Sequence, residues 1–248
     1  MTTYGLLGYP LAHSFSRHFF SKKFLKEGLD AEYLNFEMAD ISVLPDLIDS
    51  LPQLRGLNVT RPYKESVMAY LNDLSPEAKA IGAVNCIKIS RKDGKPFLKG
   101  YNADVIGFSE SLKPLLKKQH TKALILGTGG ASKAIRYGLE SLGIEWRLVS
   151  RTPDRLKLGY SNLTRDIMSE YLVVVNCSPL GTFPDNNTCP DIPYQFLTDQ
   201  HLLYDLVYNP EKSLFLCKGE QQGSCIKNGL EMLHLQALAS WKYWQEDD

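Results

Sequence analysis

The sequence predicts two α/β domains, and three observations carry that prediction. Short apolar runs of strand length alternate with amphipathic helical stretches almost from the N-terminus, the pattern of parallel sheets covered by helices on both faces. The 248 residues make between one and two domains at roughly 150 residues each, and a chain of this size buries about 70% of its unfolded surface. Apolar residues make up 44% and charged residues 23%, the balance of a globular chain.

The elements follow in order. Tyr4 to Tyr9 reads as a strand stopped by Pro10. Arg17 to Glu27 reads as a helix closed by Gly28, with Phe19, Phe20, Phe24 and Leu25 at helical spacing on its apolar face. A strand is expected at Glu32 to Glu37, a helix near Val43 to Ser50 and a strand at Gly56 to Val59. Ala83 to Ser90 and Pro96 to Tyr101 pair as a hairpin around Asp93-Gly94. The second half begins with a helix, Val105 to Lys117, and a strand, Lys122 to Leu126. A glycine-rich turn, a helix to about Leu142 and a strand at Trp146 to Val149 come next. Further strands are expected at Tyr171 to Val175 and Leu202 to Val207, and helices at Leu214 to Gln221 and Leu230 to Gln245. The stretch from Arg155 to Tyr171 is short for a complete βα unit, and the last helix looks abbreviated. With no internal repeat or low-complexity linker, the joint falls near Asn102 to Asp104.

Composition excludes several classes of function. Lys plus Arg is 28 and Asp plus Glu is 28, so the formal charge is zero and nothing drives the chain generally toward nucleic acid or an anionic membrane. The one basic cluster, Lys113, Lys117, Lys118 and Lys122, reads as a solvated helix end. Five cysteines without a C-x-x-C pair suit neither a disulfide framework nor a zinc site. The five histidines are scattered, and no H-E-x-x-H or G-x-S-x-G signature is present. No metal site is expected. The N-terminus has neither a basic segment nor a long apolar one, and no apolar stretch approaches the roughly 18 residues of a membrane span. The expectation is a cytoplasmic protein with reduced thiols.

The glycine-rich turn carries chemistry. Lys122 to Leu126 runs into Gly127-Thr128-Gly129-Gly130-Ala131-Ser132 and then a helix. Glycine lets the backbone approach a pyrophosphate, and a helix N-terminus offers unpaired N–H groups and a positive dipole end. Ser132 stands where the third glycine of G-x-G-x-x-G is usual. The following strand identifies the nucleotide: it ends in Ser150-Arg151-Thr152, with Arg155 one helical turn on, instead of the Asp or Glu that holds an NAD ribose. Planar guanidinium groups suit a 2′-phosphate, which favours NADP over NAD; surface arginines at a helix start are the plainer alternative.

Along nearly its whole length the chain resembles the shikimate dehydrogenase family. The resemblance is carried by Ala12-His13-Ser14-Phe15-Ser16, Asn58-Val59-Thr60-Arg61-Pro62-Tyr63-Lys64, Gly82-Ala83-Val84-Asn85 and Asn102-Ala103-Asp104. It continues through Gly127 to Ser132, Ser150 to Thr152, Asn176 to Gly181 and Tyr204 to Pro210, and closes with Gly229 to Leu233 and Gln236. What it implies is a substrate (shikimate)-binding domain of residues 1–102 and 229–248 and a Rossmann-like NADP-binding domain of residues 103–228, with a cleft between. It also implies reversible NADPH-dependent reduction of 3-dehydroshikimate to shikimate, in the route to chorismate and the aromatic amino acids.

By the same resemblance Lys64 and Asp104 are the catalytic pair, and Ser14, Ser16, Thr60, Asn85, Asn102 and Gln236 bind substrate. Gly127, Gly129, Gly130, Ala131, Ser132, Ser150, Arg151, Thr152, Arg155, Tyr208 and Gly229 hold NADP(H). A lysine shielded from water can act as general acid, because desolvation lowers its pKa while a nearby carboxylate opposes that shift. Which of the two moves the proton stays open. Ser14 as a helix cap and Asn85 as a turn residue are the plainer readings of single positions. Arg17, Arg61 and Cys86 depart from the family's usual Pro, aliphatic residue and Thr. Rival readings are a quinate-preferring relative, a non-catalytic dinucleotide sensor and a dehydrogenase of folates or tRNA-bound substrates. The first expects a roomier residue set at Ser14 or Ser16 and an acid near position 151; the second needs neither Lys64 nor Asp104; the third fits poorly with neutral charge. The partners expected are small molecules only, with the chain a monomer or a homodimer.

Overall fold

The computed structural model describes residues 1–11 and 15–246. The chain forms two compact units, one of Met1–Ala103 together with the chain from Ala237 on, the other of Asp104–Gln236. The second boundary between these compact units lies inside the final helix.

The first unit contains β1 (Thr2–Gly8), α1 (Phe15–Glu27), β2 (Ala31–Glu37), α2 (Leu44–Ser50), β3 (Leu54–Val59), β4 (Asp73–Leu74), α3 (Pro76–Ile81), β5 (Cys86–Lys92) and β6 (Lys95–Tyr101). Its sheet runs in the order β2-β1-β3-β5-β6-β4. β2, β1 and β3 are parallel, but β5 pairs antiparallel with both β3 and β6. The sheet is thus mixed where alternation alone suggested parallel strands. The reason is the two-residue turn between β5 and β6: Asp93 and Gly94 have φ of 52° and 77°, the type I′ geometry that reverses a chain between antiparallel strands. α3 was not anticipated, though Ser75 caps it by accepting the Ala78 N–H at 3.1 Å, Pro76 opens it and Gly82 closes it in the left-handed region. Six residues are too few to show a period.

One face of this sheet packs Leu7, Leu57, Val59 and Ile87 against Leu44, Ile48 and Val67. The other is aromatic. Tyr4, Phe20, Phe24 and Tyr33 surround Trp241 and Trp244 of the final helix, and Phe20 stacks on Tyr33 at 4.8 Å. The Trp244 indole N–H donates to the Ile87 carbonyl at 3.0 Å. It lies so close over Gly56 that a Cβ there would be 2.4 Å from the indole nitrogen.

The second unit contains α4 (Asp104–Leu112), β7 (Lys122–Leu126), α5 (Gly130–Ser141), β8 (Glu145–Ser150), β9 (Lys157–Gly159), α6 (Arg165–Glu170), β10 (Val173–Asn176), β11 (Leu202–Asp205), α7 (Leu214–Gln221), β12 (Cys225–Lys227) and α8 (Leu230–Trp244). Pro114 ends α4 early, in a single 3₁₀ turn, so the predicted helix to Lys117 stops short. All six strands are parallel, in the order β9-β8-β7-β10-β11-β12. This is the doubly wound order of a Rossmann sheet, with its reversal between β7 and β10. The stretch between Arg155 and Tyr171, short for a complete βα unit, nevertheless holds the three-residue β9 and the six-residue α6. Apolar side chains fill both faces: Ile125, Val173 and Leu202 meet Phe108, Ile135 and Met232, while Leu124, Val174 and Leu203 meet Met168 and Phe215. Among the described residues no helix is long and apolar enough to cross a membrane.

Candidate active site

In the first unit the site is built on strand ends. β1 and β3 are parallel neighbours, so the loops that follow them leave from the same end of the sheet. The Thr60 N–H donates to the Leu7 carbonyl at 2.9 Å and the Tyr9 N–H to the Arg61 carbonyl at 3.0 Å, which joins these two loops. A third is drawn in when the Val84 N–H donates to the Lys64 carbonyl at 2.7 Å. The Asn102 amide donates to the Ala83 carbonyl at 2.9 Å, and the Asn85 side-chain oxygen accepts the Ala103 N–H at 2.6 Å. Thr60, Lys64, Asn85 and Asn102 are therefore held on one set of cross-braced loops, and Asn85 is a brace as well as a candidate ligand. Lys64 is half-buried.

Ser16 lies in the first turn of α1, buried, and its hydroxyl hydrogen-bonds the Tyr33 hydroxyl. Tyr33 in turn donates to the Asn58 side-chain oxygen at 2.9 Å. Asn58 donates to the Ser240 hydroxyl at 2.8 Å and to the Asn85 carbonyl at 3.4 Å. Burial pushes the Tyr33 phenol well up, against the opposing Ser16 hydrogen bond, so it remains a donor. This buried chain links Ser16 to Asn85. Ser14 and His13 lie outside the described residues.

Asp104 and Gln236 belong to the second unit. Asp104 is the buried first residue of α4, and Gln236 is buried on α8, where its amide donates to the Leu233 carbonyl at 2.9 Å. α4 and α8 approach closely: a Cβ on Gly107 would lie 3.0 Å from the Gln236 nitrogen.

The glycine-rich turn stands at the reversal of the parallel sheet. Gly127 has φ of +112°, and a Cβ on it would come within 3.3 Å of the Cys177–Ser178 backbone, so the turn runs against the loop after β10. Gly129 is the N-cap of α5 and offers no side chain to its first amides, and a Cβ added there would meet nothing within 4 Å. That open, uncapped helix end at Gly130 and Ala131 fits a bound pyrophosphate. Ser132 is buried, and its hydroxyl donates to the Gly129 carbonyl at 2.7 Å, so its proton is spent on holding the turn.

At the end of β8 the Ser150 hydroxyl accepts the Thr152 N–H at 3.1 Å, leaving Arg151, Thr152 and Arg155 exposed. The helical turn expected between Arg151 and Arg155 does not form. Asp154 instead accepts the Leu156 and Lys157 N–H groups at 2.8 and 3.0 Å and pairs with the Lys157 ammonium at 2.9 Å, turning the chain into β9. The Lys157 side chain, with these amides, holds the Asp154 carboxyl below its ordinary range. The acid nearest the strand end is thus committed to the turn, and two guanidinium groups are presented where an NAD site has a carboxylate.

Tyr208 is exposed after β11, and the Gly229 N–H donates to the Val207 carbonyl at 3.1 Å. Beneath them Asp205 is wholly buried at the end of β11. It accepts from the Asn176 amide at 2.9 Å, from the Val207 N–H at 3.0 Å and from the Ser213 hydroxyl. Burial raises its pKa to about 6, against the three hydrogen bonds, which lower it.

With this geometry in view the comparisons with known proteins are specific. A family described as the shikimate dehydrogenase substrate binding domain matches residues 6–87. A shikimate dehydrogenase (NADP(+)) of Carboxydothermus hydrogenoformans is 36% identical over 257 aligned positions, spanning 97% of this chain and 90% of that protein. The chain belongs to the shikimate dehydrogenase family. Among solved structures, shikimate dehydrogenase 1 of Peptoclostridium difficile aligns with a TM-score of 0.84 at 36% identity, covering all of this chain and 94% of that one. The Thermus thermophilus shikimate 5-dehydrogenase, solved in complex with NADP(H) and shikimate, aligns with a TM-score of 0.85 at 30% identity, covering 99% of this chain and 94% of that one.

Of the three departures from the shikimate dehydrogenase pattern, Cys86 is explained by packing. It is wholly buried beside Ser240 and Trp244, and burial pushes its thiol far up, which makes it inert. Arg17 and Arg61 are exposed. Sequence reasoning gave no role to Tyr33, Asn58 or Asp205. Asn58 and Asp205 stand inside segments that carried the resemblance, whereas Tyr33 has no local signal, since only the β2 register brings it to Asn58.

Proposed function

We propose that this chain catalyses the reversible reduction of 3-dehydroshikimate to shikimate with NADPH, as an oxidoreductase of aromatic amino-acid and chorismate biosynthesis. The observation that carries this reading is the pairing within one chain of two halves. One has Thr60, Lys64 and Asn85 on braced loops; the other has a Rossmann sheet with an uncapped glycine turn and a strand ending in Ser150-Arg151.

Residues 1–102 and 229–248 bind shikimate, and residues 103–228 bind NADP(H). Bound NADPH supplies the hydride. The turn from Gly127 to Ser132 and the first amides of α5 hold the pyrophosphate, and Arg151 and Arg155, beside Ser150 and Thr152, hold the 2′-phosphate. Tyr208 and Gly229 flank the nicotinamide. Ser14 and Ser16 bind the substrate carboxylate, while Thr60, Asn85, Asn102 and Gln236 hydrogen-bond it and the ring hydroxyls. Lys64 delivers a proton to the carbonyl oxygen as that oxygen gains negative charge, and its ammonium stabilises the charge. Asp104 orients a ring hydroxyl. The protein acts in the cytoplasm as a monomer or a homodimer; its five thiols are all free, as a reducing compartment keeps them.

The test follows NADP⁺ reduction at 340 nm with shikimate and quinate in parallel and NAD⁺ as control. Turnover confined to shikimate with NADP⁺ is expected. Activity mainly with quinate or NAD⁺ overturns the assignments of Ser14, Ser16, Arg151 and Arg155, and no activity with any pair overturns the reaction.

A further inference from the structure

We propose that Asp205 is the positioning residue of the dinucleotide half of the site: one carboxylate fixes the loops that carry Ser178, Tyr208 and Gly229. The proposal rests on reading the second unit as NADP(H)-binding. Asp205 and Asp104 are the two buried carboxylates among the described residues. No ammonium or guanidinium among those residues pairs with Asp205, and the titratable groups that face it, Cys177 and Tyr194, are both kept neutral by burial. An ionised carboxylate in such surroundings is costly unless donors surround it, and three do.

Each donor belongs to a different segment. Oδ1 takes the Asn176 amide at 2.9 Å and the Val207 N–H at 3.0 Å, and the other oxygen takes the Ser213 hydroxyl. Asn176 passes the restraint on, because its own oxygen accepts the Ser178 N–H at 3.0 Å and the Ser178 hydroxyl at 2.7 Å. The Ser178 backbone is what Gly127 runs against. Val207 passes it on through its carbonyl, which receives the Gly229 N–H at 3.1 Å. Ser213 caps α7 by accepting the Leu216 N–H at 3.4 Å. The carboxylate thus ties the ends of β10 and β11 and the start of α7, reaches the approach to α8 through one further hydrogen bond, and reaches the glycine turn through the packing of Gly127 on the Ser178 backbone.

The experiment titrates NADPH, by its own fluorescence, into the unsubstituted protein and into Asp205→Ala, Asp205→Asn and Ser213→Ala. The shikimate KM at saturating NADP⁺ and the Tm are measured alongside. Asp205→Ala should raise the NADPH Kd by about 10-fold or more, as expected when buried donors lose their acceptor, while the shikimate KM stays within about twofold. Asp205→Asn should restore the Kd to within about threefold of the parent, because its oxygen accepts both N–H groups and its amide can face Ser213. Ser213→Ala should raise the Kd by about threefold. A lowered Tm with unchanged NADPH Kd in Asp205→Ala overturns the proposal, and so does an Asp205→Asn protein that binds as poorly as Asp205→Ala. If Asp205→Ala does not fold, an unchanged Kd in Ser213→Ala overturns it. Failure of the unsubstituted protein to bind NADPH overturns the reading beneath it, and that failure shows before any variant is made.

Discussion

At the residue scale the sharpest prediction concerns Lys64. Removing a positioned proton donor costs about 10²–10⁴-fold in rate, so Lys64→Ala should lose kcat by that factor while its NADPH Kd, read by fluorescence, stays at the parent value. Loss of NADPH binding in step with kcat would mean that Lys64 supports the fold and not the chemistry. Arg151 and Arg155 make the matching prediction for the cofactor. A charge-assisted hydrogen bond is worth about 1.5–3 kcal/mol, so Arg151→Ala should raise the NADP⁺ KM by about 10–100-fold and leave the NAD⁺ KM unchanged. Equal effects on both cofactors would show that these exposed guanidinium groups do not read the 2′-phosphate. Residues such as these could be proposed from the sequence because each sits in a short contiguous segment. Tyr33 and Ser240 could not: they reach Asn58 from β2 and α8, and that contact exists only once strand register and helix docking are set. Ser132 was half legible, since its place in the turn could be read but not that its hydroxyl proton is spent on the Gly129 carbonyl.

At the element scale the sequence was most informative where a local signal decides the outcome alone. Lys122–Leu126 and Leu214–Gln221 form with the bounds their patterns predicted, and Asp93-Gly94 marked its hairpin. Elements of two to six residues, such as β4, β9, β12 and α6, were missed because their stability comes from neighbours. The helical turn after Arg151 failed for a related reason: Asp154 offered the backbone an alternative by accepting two amides ahead of it. The docking of α8 on β3 gives a prediction of its own. Trp244→Ala should cost about 3–5 kcal/mol, since it empties the aromatic face and leaves the Ile87 carbonyl without its donor. Gly56→Ala should itself destabilise by about 1–3 kcal/mol, because its Cβ would overlap the indole. The double variant should be no less stable than Trp244→Ala alone, a non-additivity that identifies direct contact. Urea unfolding measures all three, and additive losses would show that the two positions act separately.

At the scale of the whole molecule equal numbers of acidic and basic residues leave pH dependence to a few buried groups, and two of them bracket β11. His201 precedes the strand, accepting the Thr198 N–H at 3.0 Å on Nδ1 and donating from Nε2 to the Met168 carbonyl at 2.8 Å. That pattern requires the neutral ring, and burial lowers its pKa from 6.5. A depressed histidine contributes stability that is present above 6.5 and lost as pH falls through its folded value. Asp205, at the other end of the strand, has the opposite sign. Its pKa is raised by burial from 3.8 to about 6, so its contribution is full below 3.8 and is lost as pH rises through 6. A rise of about two units corresponds to ~3 kcal/mol. Asp205→Asn keeps the shape and most of the hydrogen bonds but cannot ionise. It should therefore be more stable than the parent by about 2–3 kcal/mol at pH 8, and that margin should shrink as pH falls through 6 and vanish below about pH 4. His201 is common to both proteins, so its acid limb cancels from the difference. Denaturant melts at pH 8, 6 and 4 measure the margin, and a less stable Asp205→Asn at pH 8 would show that the three donors need the full negative charge. A variant that gains stability while keeping its NADPH affinity would separate what the carboxylate costs the fold from what its geometry does for the cofactor loops.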